Sequence, residues 1–396
     1  MRILALTSRV PFPPLRGDKV RTFNFLKALS ERHDVDLLTF VEGDADRALA
    51  RRLDWLRSAE TISLPRIRSY ANMALGALSS LPYQTLYYRS GSMREAFAAA
   101  VGRETYDLVY VHLFRMAPYA LGGGDVGAAG APAYALDLTD AISVELSESV
   151  PRRPFPIRPA YAWEAEKIRR YEARVARAFD ETWVIAEADA AAIASVAPDA
   201  DVVVVPNGVD ESLFSLPGAD AEGVVLFVGN LSIAHNTDAV EFLVGEIMPR
   251  VRRRVSEARL RVVGHGADER MRRAAAEGGF DLGGYVPELA DAYRGAAVFA
   301  APLRFAAGVQ NKILEAMAAG LPVVTTPTGN RGLGAPAGEA LAVAEDAEGL
   351  SDEIVRLLGD RSRRAAVGSA GRAFVRGRFS WSAVRGHAER LVERTR

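Results

Sequence analysis

One stretch combines a loop, a charged helix start and a strand in an order suited to anion binding. It runs from Ala307 to Thr326 as AGVQNKILEAMAAGLPVVTT and carries Lys312 and Glu315. A helix that begins after a glycine-bearing loop presents unpaired backbone N–H groups to an anion. Glu315 lies among small and apolar residues, where a carboxylate without partners is costly to bury. The two hydroxyls of a ribose would satisfy Glu315, whereas a solvent-facing glutamate would need no ligand.

Glycine-rich turns follow several of the predicted strands. Gly229 follows the strand Val224–Val228, and Gly264 with Gly266 follows the next strand. Neither turn continues into G-x-G-x-x-G, and no Walker A sequence occurs, so the common dinucleotide and P-loop fingerprints are absent. Repetition of such turns at one sheet edge suits a nucleotide diphosphate, although each turn alone is equally compatible with a simple tight turn.

Histidines and acidic pairs were the next candidates for chemistry. His112 ends an otherwise apolar strand, so both a site role and a structural role stay open for it. Three D-x-D pairs could hold a divalent cation with phosphates: Asp34/Asp36, Asp44/Asp46 and Asp199/Asp201. The first pair spans the start of a strand and the other two lie in polar connections, which favours solvated carboxylates. The five histidines contain no H-x-x-x-H pair. We therefore expect a site without metal and without a resident cofactor.

Two series of alternating strands and helices would position these residues. Such alternation predicts parallel sheets with ligands at the carboxyl ends of the strands. We expect α/β architecture with two Rossmann-like doubly wound domains facing a central cleft: residues 1–206, residues 207–375, and a final helix over 376–396 that crosses back. The predicted strands cover 2–7, 35–40, 61–64, 106–112, 133–140, 182–185 and 202–205, then 224–228, 260–263, 280–286, 298–301, 323–326 and 341–343. Longer helices are predicted over 19–32, 44–59, 160–179, 238–255 and 311–319.

The composition excludes several classes of protein. The 396 residues are 49% hydrophobic and 25% charged, with a formal net charge of −1 and no cysteine. These values indicate a globular protein without disulfides, thiolate metal sites or a global field that recruits nucleic acid. Ser8 and Arg9 interrupt the first apolar run too early for a signal peptide, so we expect a cytoplasmic protein. Residues 66–88 form either a packed helical insertion, which we favour, or a surface facing lipid or acceptor.

Taken together, these motifs resemble the family-4 retaining glycosyltransferases, which have the GT-B fold. Within that family the chain is most similar to sugar transferases of exopolysaccharide and PEP-CTERM systems. The resemblance rests on residues 11–21, 107–112, 204–210, 227–231, 262–266 and 308–326. It implies transfer of a sugar from a nucleotide-diphosphate sugar to an acceptor hydroxyl. Peripheral contact with the inner membrane face is compatible with it.

The resemblance also implies site residues. Glu315 would hold the ribose hydroxyls, Val286 would meet the base, and His112 with Lys312 would act at the transferred sugar and diphosphate. The other donor-site residues implied are Gly308, Val309, Gln310, Asn311, Gly229, Asn230, Gly264 and Arg304. A loop for the diphosphate or acceptor would include Arg16, Gly17 and Asp140.

Three positions depart from the family pattern. Ala307 replaces a glutamate, and Asn230 and His235 replace an arginine and a lysine. Two cations for the diphosphate are therefore missing, with Lys312, Arg304 and Arg331 as candidate substitutes. These departures keep two other hypotheses open: a degenerate nucleotide-sugar-binding protein and a GT-B-fold UDP-sugar epimerase.

Overall fold

The computed structural model describes residues 1–14, 17–122, 131–150, 154–219, 221–277, 279–284, 286, 288–306 and 309–395. It divides into two compact units. The first unit comprises Met1–Gly208 and Val384–Arg396, and the second comprises Val209–Ala383. The last helix, Trp381–Thr395, therefore belongs mostly to the first unit.

The first unit is built on a seven-stranded sheet in the order β3-β2-β1-β4-β5-β6-β7. Every neighbouring pair is parallel. Its central strands are apolar runs buried on both faces, as expected where helices cover a parallel sheet. The strands are β1 Arg2–Thr7, β2 Asp34–Val41, β3 Ser58–Ser63, β4 Leu108–His112, β5 Ala133–Thr139, β6 Glu181–Val184 and β7 Val202–Val204.

Helices cover this sheet and include one correction to the sequence prediction. They are α1 Gly17–Ser30, α2 Asp44–Ala50, α3 Arg66–Leu75, α4 Tyr83–Tyr87, α5 Gly91–Arg103, α6 Ala117–Leu121, α7 Ile142–Ser149, α8 Arg158–Ala176 and α9 Glu187–Val196. The helix predicted over 44–59 was wrong beyond Ala50. Residues from Ser58 onward instead pair with β2, and the Arg57 side chain binds Asp36. Tertiary pairing overrides the local helical pattern there.

The second unit repeats the same plan with a six-stranded parallel sheet in the order β10-β9-β8-β11-β12-β13. Both orders follow the doubly wound scheme, which confirms the predicted fold class. The strands are β8 Val224–Val228, β9 Arg259–Val263, β10 Asp281–Gly283, β11 Val298–Ala301, β12 Val323–Thr325 and β13 Ala342–Val343.

The helices of this unit include a second correction. They are α10 Ala234–Phe242, α11 Met248–Arg252, α12 Glu269–Ala276, α13 Leu289–Tyr293, α14 Asn311–Ala318, α15 Pro327–Arg331, α16 Ala347–Gly359 and α17 Arg361–Arg378, followed by α18 Trp381–Thr395. The single helix predicted over 238–255 is instead α10 and α11 joined by a π-helical turn, Leu243–Ile247. Pro249 cannot donate a backbone hydrogen bond, which accounts for the change in winding.

The helix α14 is fixed at its C-terminal end. Gly320 adopts a left-handed conformation (φ +75°), and the Leu321 N–H donates to the Ala316 carbonyl. The guanidinium of Arg372 donates to the carbonyls of Ala318 and Ala319. A side chain at Gly320 would collide with that guanidinium. These contacts anchor the C-terminal end of α14, the helix whose first turn carries Lys312.

Among the helices that the structure describes, none combines the length and the apolar content needed to cross a bilayer.

Candidate active site

The helix α14 brings Lys312 and Glu315 together beside a buried tyrosine. Tyr293 is 1% exposed and donates its hydroxyl to Glu315 Oε2 at 2.6 Å. The carboxylate expected to need a ligand therefore already has one protein partner, which corrects the sequence interpretation. Burial raises the pKa of Glu315, although the hydrogen bond from Tyr293 and the charge of Lys312 oppose the change. The pKa of Tyr293 also rises, first through burial and then through Glu315.

Lys312 is only partly compensated. Burial lowers its pKa to about 8, against the attraction of Glu315. Its ammonium donates to the side-chain oxygen of the buried Gln310 at 3.0 Å, a neutral acceptor. An incoming anion would stabilise this ammonium, because its negative charge replaces the stabilisation by water that burial has removed.

The predicted site residues just before and at the start of α14 differ in their burial. Val309 packs against the core of the second unit, and Asn311 is exposed as the first residue of the helix. Gly308 and Ala307 lie outside the described residues. Val286, assigned to the base, follows β10 and also packs partly against the core.

The predicted glycine turns meet at the carboxyl ends of β8 and β9. A β-carbon on Gly264 would lie 1.8 Å from the Gly229 carbonyl oxygen, and Gly264 has φ +157°. Only glycine fits this close backbone approach. The Leu231 N–H also donates to the His265 carbonyl at 2.7 Å. The two turns therefore form one interlocked loop pair at this sheet edge.

Asn230 stabilises the turn in which it lies through local hydrogen bonds. Its side-chain oxygen accepts hydrogen bonds from the Ser232 N–H at 3.0 Å and from the Ser232 hydroxyl at 2.7 Å. Its carbonyl accepts one from Asn236. The side chain thus forms a turn of the kind that asparagine favours. His235, in the first turn of α10, lies close enough to Lys312 that burial and then this lysine lower its pKa.

Two candidate cations are placed differently from Lys312. Arg304 forms a forked ion pair with Asp238 and lies over the Phe242 ring at 4.8 Å. The hydrogen bonds to Asp238 raise the pKa of Arg304, and burial opposes this only weakly. Arg331 is exposed at the end of α15. Of the three predicted substitutes, Lys312 is the one adjacent to Glu315.

In the first unit, His112 lies at the carboxyl end of β4 and is 3% exposed. The Thr22 hydroxyl lies 3.2 Å from its ring nitrogens, and the Thr139 hydroxyl lies 3.4 Å from Nε2. Asp140 follows β5 at the same edge. Gly17 begins α1, which carries Thr22, and Arg16 lies outside the described residues.

Beneath His112 lies a buried ion pair that the sequence did not reveal. Arg21 and Asp137 are each 1% exposed at the side chain, with Nε donating to Oδ2 at 2.7 Å. Tyr110 donates to the same oxygen at 2.6 Å, and Arg21 reaches Asn207 at 2.9 Å. Burial opposes ionisation, yet Arg21 and then His112 hold the pKa of Asp137 below its usual value. The available signal was an aspartate inside an apolar strand, which requires a partner.

Asp137 also holds two strained residues beside His112. Leu113 and Thr139 are non-glycine residues with positive φ, at 71° and 66°. The Asp137 carbonyl accepts from the Leu113 N–H at 2.7 Å, and its carboxylate accepts from the Thr139 N–H at 3.0 Å. Backbone strain of this kind persists where surrounding contacts enforce it, often at functional sites.

Three carboxylates of the D-x-D pairs have protein partners. Asp36 is 5% exposed and binds Arg57, Ser58 and Tyr106, so the expectation of a solvated carboxylate was wrong there. Asp199 pairs with Arg177, and Asp201 pairs with Arg394.

The sequence of the second unit matches a known family. Residues 222–360 match the family model described as Glycosyl transferases group 1. The predicted resemblance to a glycosyltransferase family is confirmed. The matched region contains both glycine turns, Tyr293 and the whole of α14.

Individual relatives agree with this assignment over shorter spans. A Phosphatidyl-myo-inositol mannosyltransferase of Mycolicibacterium smegmatis is 31% identical over 209 residues, or 49% of this chain and 52% of that protein. A GDP-mannose-dependent monoacylated alpha-(1-6)-phosphatidylinositol monomannoside mannosyltransferase of Corynebacterium glutamicum is 40% identical over 80 residues, or 20% of each chain. The chain thus matches about half the length of the first of these relatives and less of the second.

Solved structures match the whole chain at low sequence identity. Anabaena HepE in complex with UDP has a TM-score of 0.64 at 15% identity, covering 100% of both chains. Sucrose-phosphate synthase from Thermosynechococcus elongatus has a TM-score of 0.61 at 19% identity, covering 100% of this chain and 98% of that one. This likeness of fold confirms the predicted GT-B class.

Proposed function

We propose that this protein is a glycosyltransferase that moves a sugar from a nucleotide-diphosphate sugar to an acceptor hydroxyl, retaining the anomeric configuration. The observation that carries the proposal is the Tyr293–Glu315–Lys312 arrangement on and beside α14. It combines an oriented carboxylate, able to accept hydrogen bonds from a ribose, with a half-buried lysine whose ammonium, among the residues that the structure describes, donates to a neutral amide oxygen. The match to glycosyl transferases group 1 over the same residues supports it.

In the proposed reaction the acceptor oxygen attacks the anomeric carbon on the face from which the diphosphate departs. The bond from the anomeric carbon to the diphosphate oxygen breaks, and its electron pair leaves with the diphosphate. Retention places that oxygen within reach of the acceptor's proton. Lys312 and the N–H groups at the start of α14 would stabilise the developing negative charge, so positioning and electrostatics supply the catalysis. His112 would contact the transferred sugar, as the resemblance implies.

We also propose that the reaction needs no metal ion. The support is chemical: Asp36, Asp199 and Asp201 are engaged by arginine side chains and are not available as a carboxylate pair. Donor turnover should then persist in EDTA. Loss of turnover in EDTA, restored by a divalent cation, would refute this part of the proposal.

The donor site is tested by calorimetric titration with UDP and, separately, with GDP. UDP is present in a similar solved structure, whereas GDP-mannose appears in the name of a relative, so the pair also tests the base. We expect one of them to bind and Glu315→Ala to weaken it about 10- to 100-fold, because charged hydrogen bonds contribute about 1.5–3 kcal/mol. Glu277→Ala, an exposed glutamate after α12, is the matched control. Equal binding by wild type and Glu315→Ala would refute the assignment.

A second candidate is a nucleotide-sugar-binding protein without transferase activity. It is favoured by Asn230, which is engaged within its own loop, and by Arg304, which is paired with Asp238. Slow hydrolysis of the donor separates the two functions, since a transferase without acceptor releases free nucleotide diphosphate. Binding without any release over hours would favour this alternative. Donor turnover that yields an epimerised sugar would point to the epimerase instead.

A further inference from the structure

A cavity lies at the amino edge of the second sheet, opposite the edge that carries the proposed donor site. It is bordered by Gly223, which precedes β8, and by Arg259, the first residue of β9, whereas the glycine turns follow the other ends of these strands. The junction of α16 and α17 forms another wall. The cavity volume of about 690 Å³ falls within the range of about 300–1,000 Å³ that is usual for small-molecule sites.

Four arginines and two glutamates line this cavity, which gives the lining a formal net charge of +2. They are Arg252, Arg259, Arg361, Arg364, Glu222 and Glu257. Within the part of the chain that the structure describes, none of these four arginines forms an ion pair. By contrast, the neighbouring Arg363, which does not line the cavity, pairs with Glu353 at 3.6 Å. The cavity therefore collects positive charge that the surrounding carboxylates do not neutralise.

Arg364 is the buried member of this group, with 5% of its surface exposed. Its Nη1 donates to the carbonyls of Leu357 and Leu358, at the end of α16, at 3.0 Å and 2.7 Å. Its Nε is buried and has no hydrogen-bond partner among the described residues. A guanidinium that is buried with neutral partners alone keeps a desolvation cost, and an anion in the adjoining cavity would lower that cost.

Backbone contacts hold two of the other arginines in place. The Nε and Nη2 atoms of Arg252 donate to the carbonyls of Ala258 and Gly279, at 3.1 Å and 2.9 Å. The Arg259 N–H donates to the Gly223 carbonyl at 2.8 Å, and Gly223 has a left-handed conformation (φ +72°). Binding groups that are already ordered lose little conformational entropy when a ligand arrives. This wall of the cavity is therefore formed before any ligand binds.

We propose that this cavity binds a phosphate dianion, either free or as the monoester of a small molecule. A phosphate monoester carries a charge of about −1.5 to −2 near pH 7, which matches the excess positive charge of the lining. The planar fork of N–H donors on arginine suits phosphate oxygens. Glu222 and Glu257 would accept hydrogen bonds from hydroxyls of a monoester. The inference is independent of the proposed transfer reaction, because the two sites lie at opposite edges of the sheet.

Equilibrium dialysis of the full chain against radiolabelled glycerol 3-phosphate, at constant ionic strength, tests this site. We expect saturable binding that Arg259→Gln/Arg361→Gln weakens about tenfold or more, because charge-assisted hydrogen bonds to the phosphate are lost. Both side chains are exposed, so the double variant should fold, and its thermal unfolding verifies this. Lys312→Met, which removes the cation of the proposed donor site, should retain this binding.

Arg363→Gln is the matched control, since it removes an exposed arginine of the same helix turn that is already paired, and it should change affinity by less than about twofold. Binding that is unchanged in Arg259→Gln/Arg361→Gln would overturn the proposal, as would the absence of saturable binding by the wild type. Loss of binding in Lys312→Met would also overturn it, by placing the phosphate in the donor site. Competition by inorganic phosphate distinguishes the two sources: equal affinity identifies free phosphate as the ligand, and weaker affinity identifies a monoester.

Discussion

The two units bury charged groups in opposite ways. In the first, Asp137 receives hydrogen bonds from Arg21, Tyr110 and the Thr139 N–H, and its pKa falls while that of Arg21 rises. In the second, Lys312 and Glu315 are near each other but share no direct ion pair, and burial moves both pKa values toward the neutral forms. Each network lies at the carboxyl edge of its parallel sheet.

This difference distinguishes a network that stabilises the fold from one that is suited to bind a ligand. A buried charge whose partners are complete is stable without a ligand, and removing one partner leaves an expensive unpaired charge. A buried charge whose partners are incomplete carries a cost that a ligand of the right chemistry can remove. The first network therefore fixes strand tips and the surroundings of His112, whereas the second has the incomplete pairing that the proposed nucleotide-diphosphate ligand would complete.

The largest effect is expected for Arg21→Met, which leaves the Asp137 carboxylate buried without its cation. The free energy of unfolding should fall by about 3–5 kcal/mol, the usual cost of breaking a buried pair from one side. Urea denaturation measures it. Arg170→Met, which removes an exposed partner of Glu166, should change stability little. If the two substitutions lowered the free energy of unfolding equally, Asp137 would not depend on Arg21 as its partner, and the account of the first network would be wrong.

Gly264→Ala should come next. Its β-carbon would collide with the Gly229 carbonyl, so the interlocked loops must separate at a cost of about 2 kcal/mol or more, with loss of nucleotide binding. Thermal unfolding and calorimetry would register both effects. Gly377→Ala has open space in α17 and should be neutral or stabilising by about 0.5–1 kcal/mol. Retained stability and binding in Gly264→Ala would contradict the close approach described above.

The pH dependence of nucleotide diphosphate binding should identify Lys312. Its pKa is about 8 in the folded protein, so the free site loses its positive charge above that pH, and affinity should fall by up to tenfold per pH unit. Binding at pH 9 should take up close to one proton, seen as a dependence of the calorimetric heat on buffer. Lys312→Arg, which stays charged, should abolish the fall. The same decline in both proteins would assign it to the ligand or to another group.

The shifted pKa values of Lys312 and Glu315 also make the free energy of unfolding of the ligand-free protein depend on pH. Because the folded-state pKa of Lys312 is depressed, the unfolded chain holds the extra proton between pH 8 and 10.5, and stability attributable to Lys312 rises with pH in that window. Glu315 acts oppositely. Its folded-state pKa is raised, so its contribution falls as pH rises from 4.5 through the folded-state pKa. Urea midpoints of Lys312→Met and Glu315→Gln against wild type would check both signs.

The smallest effect is expected for Tyr293→Phe. It removes one hydrogen bond to Glu315 and leaves the packing of the ring on Phe299. Nucleotide affinity should fall only about three- to tenfold, and the acidic limit of binding should move to higher pH because the pKa of Glu315 rises further. Titration of affinity between pH 5 and 7 measures it. A loss as large as that of Glu315→Ala would give Tyr293 a direct contact with the ligand.

Local sequence patterns failed where distant parts of the chain compete with them. The helix predicted through residue 59 is interrupted because Ser58–Ser63 pairs with β2. Residues 66–88 are expected to form a packed helical insertion, and α3 and α4 are helices there, yet Ile67 and Leu75 of α3 are 87% and 90% exposed. Spacing shows that a helix is two-sided, whereas only the packed structure shows which side is covered.

The sequence by itself determined two doubly wound α/β units, their glycine turns, and the positions of His112, Lys312 and Glu315 at strand or helix ends. It could do so because strand and helix periodicity and turn residues act over a few neighbours in the chain. Only the tertiary structure decided the partners. Tyr293 lies 22 residues from Glu315, and Arg21 lies 116 residues from Asp137. Whether a buried charge is paired or prepared for a ligand depends on such long-range contacts, which local patterns do not encode.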